Sequence, residues 1–206
     1  MASSATSITP NASFLREVEE ASGQKISPCY QCVKCSNGCP VNFAMDFLPH
    51  QLLRMIQVGL KEKVLQSSTI WLCASCETCT TRCPNDIDLA GLMDILRQMA
   101  VREGVPLGQE NILLFHTLFL SAIRARGRLY EVGLIGRYKL RSGAWLQDLA
   151  LGWEMFRRGK LKLRPSTVQS QEQIRAIFAR AAEKGQSTCL PRLNAPQRPG
   201  GSRETR

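Results

Sequence analysis

Eight of the nine cysteines fall in two copies of one spacing, and that spacing dictates what the chain must fold around. The first copy is Cys29, Cys32, Cys35 and Cys39, followed by Pro40; the second is Cys73, Cys76, Cys79 and Cys83, followed by Pro84. Three cysteines separated by two residues each wrap a tight loop around one iron–sulfur cubane. The fourth lies one residue too far along to close the same loop, and in two-cluster proteins it ligates the other cluster. The spacing therefore predicts two [4Fe–4S] clusters with crossed ligands. Cluster I takes Cys29, Cys32, Cys35 and Cys83; cluster II takes Cys73, Cys76, Cys79 and Cys39. The two prolines fix φ and turn the chain away from the metal. Small or polar residues fill the loops, among them Ser36, Asn37 and Gly38 in the first and Ala74, Ser75, Thr78, Thr80 and Thr81 in the second. Little bulk there lets backbone N–H groups approach the sulfurs, which is one lever on reduction potential.

Zinc is the rival ion, since it also accepts all-thiolate sites. Its ligands usually come as two separated pairs rather than four cysteines in one run that is then repeated. Disulfides fit worse, because pairs this dense would be strained. Cys189 stands alone near the C-terminus and is read as incidental. His50, in a helix first turn, and His116, inside an apolar helix, are read as structural or exposed.

The opening residues 1–11 are small and polar, without the apolar core of a signal peptide. The longest apolar run, 112–123, is interrupted by His116, Thr117 and Ser121 and falls short of the roughly 20 residues that a membrane span needs. These features point to a soluble chain in a reducing compartment, cytoplasmic or peripheral to the inner face of the membrane. Net charge is +10, and residues 124–164 hold most of the excess, with eleven Lys and Arg against three acids. Such a stretch suits an acidic protein partner or an anionic lipid surface, or is simply a solvated set of basic helices. No helix-turn-helix, RNA-binding or finger pattern accompanies the charge, so nucleic acid is not an expected partner.

Local patterns predict a mainly α fold, a helical ferredoxin-like domain with a helical C-terminal extension. A short helix over 14–22 stops at Gly23. The 33 residues between Cys39 and Cys73 read as a helix that starts near Pro49 and ends at Gly59, then a second over 60–65. Ile70, Trp71 and Leu72 make an apolar approach to Cys73, predicted to pack against cluster II and keep water from it; Trp71 also reads as a core residue, and both can hold. Asp86 or Asp88 caps a helix that runs to about Glu103, with Leu89, Leu92, Met93, Leu96, Met99 and Ala100 on one face and Gly104 as its stop. Further helices are predicted over 109–125, 129–140, 144–158 and 170–183. The first of these is apolar almost all round, so it needs burial on more than one side, in a core or against a partner. Trp145, Trp153, Met155 and Phe156 form a second candidate docking face. The organisation is thus an N-terminal arm and short helix (1–24), a two-cluster domain (25–105), a basic and apolar docking extension (106–185) and a disordered tail (186–206).

With both cysteine runs, the helical insert and the basic helices in view, the chain resembles the C-type iron–sulfur subunit of heterodisulfide reductase. The likeness runs from about 28 to 164 and is carried also by the stretches 52–62, 71–79 and 100–104. The cysteine runs alone also fit iron–sulfur subunits of succinate and glycerol-3-phosphate dehydrogenase type, or a free-standing ferredoxin-like carrier. The resemblance implies an electron relay. It would run between an A-type subunit bearing flavin and clusters, or a membrane cytochrome, and a cysteine-rich B-type subunit that reduces the disulfide. All eight cysteines match the family's ligands. No paired-cysteine motif of the B-type subunit and no Gly-x-Gly-x-x-Gly fingerprint is present, so neither a catalytic residue nor a flavin is expected on this chain.

Overall fold

The computed structural model describes residues 12–143, 149–159 and 168–183. Among them it has eleven α-helices, one 3-10 turn and no strand, so the fold is mainly α. Helix α1 (Ala12–Ser22) buries Phe14 and Val18, one turn apart, and is closed by Gly23 at φ +67°. The Glu19 carboxylate then accepts the Ile26 and Ser27 backbone N–H groups at 2.7 and 2.9 Å, folding the chain back into the first cysteine run. The Ser27 N–H is the main cause that holds this carboxyl down at about 2.

After the first run, α3 (Pro49–Val58) starts on proline, which lacks the N–H that a first turn cannot use, and ends at Gly59 with φ +82°. Two short helices, α4 (Lys61–Gln66) and α5 (Thr69–Leu72), lead into the second run. Asp46 fixes this approach: its carboxylate accepts the Ser67 hydroxyl, the Ser68 and Thr69 N–H groups and the Thr69 hydroxyl. These bonds hold its carboxyl below the usual range although burial acts the other way and is the largest single influence.

The long helix α7 (Leu89–Glu103) packs on α1, α4 and α5 and carries the centre of the core. All six residues predicted for its apolar face are buried, against Phe14, Ile26, Leu52, Ile56, Leu65, Ile70 and Trp71. Its N-cap is Asp88, whose Oδ1 accepts the Gly91 N–H at 2.9 Å and the Thr80 hydroxyl at 3.0 Å. Gln24 brackets the Asp88 backbone, bonding both its N–H and its carbonyl. One carboxylate thus ties α7 to the second cysteine run. Asp88→Ala is expected to lower stability by about 1–2 kcal/mol, the upper end for a cap, in chemical denaturation of the intact protein.

Beyond Gly104 come α8 (Glu110–Arg126), α9 (Glu131–Ser142), α10 (Leu149–Arg157) and α11 (Gln171–Glu183). Helix α8 packs on α9 and α11, and Ile112 and Leu113 at its start reach the main core. Only Thr117, Leu118 and Ala122 of α8 are fully buried; Phe115 stays exposed while stacking near Phe119 and meeting Tyr138 edge-on. Among the described residues the apolar surface of α8 is therefore only partly covered. Trp153, Met155 and Phe156 of α10 are exposed. Trp145, Cys189 and the predicted tail over 186–206 lie outside the described residues, as does the start of the helix predicted over 144–158. No helix among the described residues is long and apolar enough to cross a membrane.

Candidate metal centre

Each cysteine of the second run lies 44 residues beyond its counterpart in the first, and the backbone repeats with the sequence. Gln31 and Ser75, before the second cysteine of each run, have φ of 62° and 49°. Val33 and Glu77, just after it, have φ of 66° and 60°. Each of these opens a four-residue helix, α2 (Lys34–Asn37) and α6 (Thr78–Thr81), which closes with the N–H of Cys39 on Ser36 and that of Cys83 on Thr80. Left-handed backbone is uncommon without glycine and an outlier for a β-branched residue such as valine. The step from left-handed Val33 or Glu77 into the right-handed helix that follows turns successive N–H groups to one side, a nest that receives anions, including iron–sulfur groups. Strain of this kind collects where surrounding structure enforces it for function.

Relief of that strain is measurable at the exposed position. Glu77→Gly is expected to stabilise the protein by about 1 kcal/mol, the left-handed penalty less the entropy that glycine loses on folding. Val33→Gly should give less in the same denaturation experiment, because Val33 also walls the first of the two hollows below.

Two hollows open inside these loops. One is bordered by Cys29, Cys32 and Cys35 of the first run and by Cys79 and Cys83 of the second. The other is bordered by Cys73, Cys76 and Cys79 and by Cys39. The thiols ring a space: among the described residues no three His, Cys, Asp or Glu side chains converge to hold a single ion. All eight described cysteines are free thiols. Leu53, Ile87 and Leu89 wall the first hollow, and Val41, Met45, Leu89 and Met93 the second, with Leu89 and Cys79 standing between them. Soft thiolates, a dry wall and inward N–H groups are what a four-iron cubane requires, so the residues fit that group.

The thiols are not equivalent. Burial pushes Cys79 up to about 11 and raises Cys35 as well, so metal must displace a proton from each. Cys76 is exposed, and the Thr78 hydroxyl 3.4 Å from its sulfur lowers it. Arg82, in the second run, lies across Gly38 of the first. A Cβ at Gly38 would meet its Nη1 at 2.6 Å and its Cδ at 3.0 Å, so glycine here serves close approach rather than an unusual φ.

One feature of the site carries no sequence signal, and one expectation is corrected. The buried Ser36 hydroxyl meets His50 Nδ1 at 2.7 Å and accepts the His50 backbone N–H at 3.1 Å. This links the first run to α3 and places His50 on the rim of the first hollow. Trp71, predicted as a wall for cluster II and also as a core residue, belongs to the core and does not border the second hollow. Its buried indole N–H has no acceptor among the described residues.

Comparison with known proteins gives these features relatives. Residues 25–87 match the 4Fe-4S dicluster domain family, so the chain is an iron–sulfur protein. The second C-type iron–sulfur subunit of the CoB–CoM heterodisulfide reductase of Methanocaldococcus jannaschii is 30% identical over 131 residues, 59% of this chain and 70% of that protein. The C-type subunit of the H2:CoB–CoM heterodisulfide, ferredoxin reductase of Methanothermobacter marburgensis is 29% identical over 91 residues, 44% of this chain and 49% of that protein. The C-type subunit of the ferredoxin:CoB–CoM heterodisulfide reductase of Methanosarcina acetivorans is 35% identical over 77 residues, 37% of this chain and 31% of that protein. The chain spans about half the length of the Methanothermobacter marburgensis relative, and the same share of its counterpart in Methanothermobacter thermautotrophicus.

Proposed function

The chain belongs to the family of C-type iron–sulfur subunits of heterodisulfide reductase, and from that premise we propose that it is the electron relay of a heterodisulfide reductase-type complex. It holds two [4Fe–4S] clusters on crossed thiolates: Cys29, Cys32, Cys35 and Cys83 for one, and Cys73, Cys76, Cys79 and Cys39 for the other. The observation that supports this most is the mixed border of each hollow, where thiols from both runs face one space. When bound, such clusters supply one-electron chemistry. The chain's own residues do the rest. Eight thiolates neutralise and hold the iron, and the left-handed loops aim N–H groups at the sulfurs. The apolar walls meeting at Leu89 shield the inner side of both hollows from water.

Residues 25–105 form the cluster domain in this reading, and 106–185 the docking extension, whose exposed Phe115, Trp153 and Phe156 supply apolar contact. The partners are a cysteine-rich B-type subunit, which reduces the disulfide, and a flavin-bearing A-type subunit or a membrane cytochrome. The place of work is the cytoplasm or the inner face of the membrane. Purification of the tagged chain from its native cells without oxygen tests this. About eight irons per chain and co-purifying B-type and A-type or cytochrome subunits are expected. Zinc in place of iron, or an iron-loaded chain that stays monomeric and companionless, overturns it.

A further inference from the structure

The 44-residue repeat extends to the chain that leads into each cysteine run, and there the two halves differ in charge. In the first half, Gln57 of α3 donates its side-chain amide to the carbonyls of Ile26 and Cys29, at 3.3 and 3.1 Å, and to that of Ser27. In the second, Arg97 of α7 donates Nε–H to the carbonyl of Ile70 and Nη2–H to that of Cys73, the latter at 2.6 Å. Ile70 and Cys73 are the counterparts of Ile26 and Cys29, 44 residues on. The helix that follows each run thus folds back to pin the same two carbonyls, once with a neutral amide and once with a guanidinium.

We propose that Arg97 sets the potential of the second-run cluster, making it easier to reduce than it would be with the neutral group that serves the first. A cation beside a cluster stabilises the extra negative charge of the reduced form, and it acts more strongly where solvent is excluded. The Arg97 side chain is 13% exposed and touches the backbone of a proposed ligand, Cys73. The charges that oppose this asymmetry are further out and wet. Asp94 pairs with Arg97 Nη1 at 2.6 Å but is 55% exposed, and Glu77 is exposed. On the first side the exposed Arg54 bonds the Gln57 side-chain oxygen at 3.3 Å, and Lys34 is exposed. Salt screens exposed charges of this kind and leaves Arg97 largely unscreened.

The inference rests on the proposed ligand assignment, and its test separates the two. The full chain is purified with its clusters, and iron content and both midpoint potentials are read by redox titration with EPR. Cys32→Ser and Cys76→Ser identify which signal belongs to which run. Arg97→Gln is expected to keep the iron and shift the division of an electron between the clusters about tenfold away from the second-run cluster, about 59 mV for a one-electron couple. Arg97→Lys, which keeps the charge, is expected to leave that potential close to its native value. Asp94→Asn leaves Arg97 in place and should move the second-run cluster the opposite way, which keeps the idea testable if Arg97→Gln does not fold. Unmoved potentials in Arg97→Gln, equal shifts in Arg97→Gln and Arg97→Lys, or a shift confined to the first-run cluster would show that Arg97 only caps α5. Cys32→Ser and Cys76→Ser variants that disturb the same signal would instead overturn the ligand assignment.

Discussion

Cys39→Ala is expected to disable the cluster of the second cysteine run and spare that of the first, although Cys39 belongs to the first. Cys39 borders the hollow ringed by Cys73, Cys76 and Cys79 and is absent from the border of the other. Its removal leaves Cys29, Cys32, Cys35 and Cys83 around the first hollow, a complete set of four. Iron should fall from about eight per chain toward about four, and one of two EPR signals in the reduced protein should be lost or altered. The decisive comparison is with single-run ligands. Cys39→Ala should reproduce the spectrum of Cys76→Ala, and Cys83→Ala that of Cys32→Ala. If Cys39→Ala matches Cys32→Ala instead, each run closes its own cluster and the crossed assignment is wrong.

Spacing alone suggests that crossing, because four cysteines in one short run cannot comfortably surround one cubane. The larger fold is legible for similar local reasons. Gly23, Gly59 and Gly104, read as helix stops, have φ of 67°, 82° and 64°, the left-handed closure that glycine permits. Asp88 is one of two candidate caps, and the other, Asp86, has φ 53° and stands outside the helix. What stays hidden in the sequence is made by the tertiary structure. The short helices α2 and α6 open on Val33 and Glu77, residues with no preference for left-handed backbone, so no local pattern announces them. Ser36 and His50 meet across 14 residues, and Gln57 and Arg97 reach carbonyls 24 to 31 residues away. Trp71 is ambiguous in the sequence because an apolar residue two places before a ligand can face either the metal or the core. Here α7 supplies the core surface that receives it.

The substitution with the largest expected effect on stability is Leu89→Ala, and its signature differs from that of a lost ligand. Leu89 is 2% exposed, opens α7 next to the Asp88 cap, and walls both hollows. Truncating a buried leucine to alanine removes about 2–5 kcal/mol, a large part of the roughly 5–15 kcal/mol that holds a domain folded. The space left behind lies between the two thiol rings, so water reaches both at once. Both EPR signals should therefore decay together on exposure to air, faster than in the native protein, with iron lost from the two runs in parallel. Leu89→Met, which nearly conserves volume, should cost less than about 1.5 kcal/mol and keep both signals. Loss of one signal before the other in Leu89→Ala would mean that the hollows are sealed independently. The joint core of α1, α3 and α7 would then support each run separately, and the two halves of the repeat would be self-standing units rather than one.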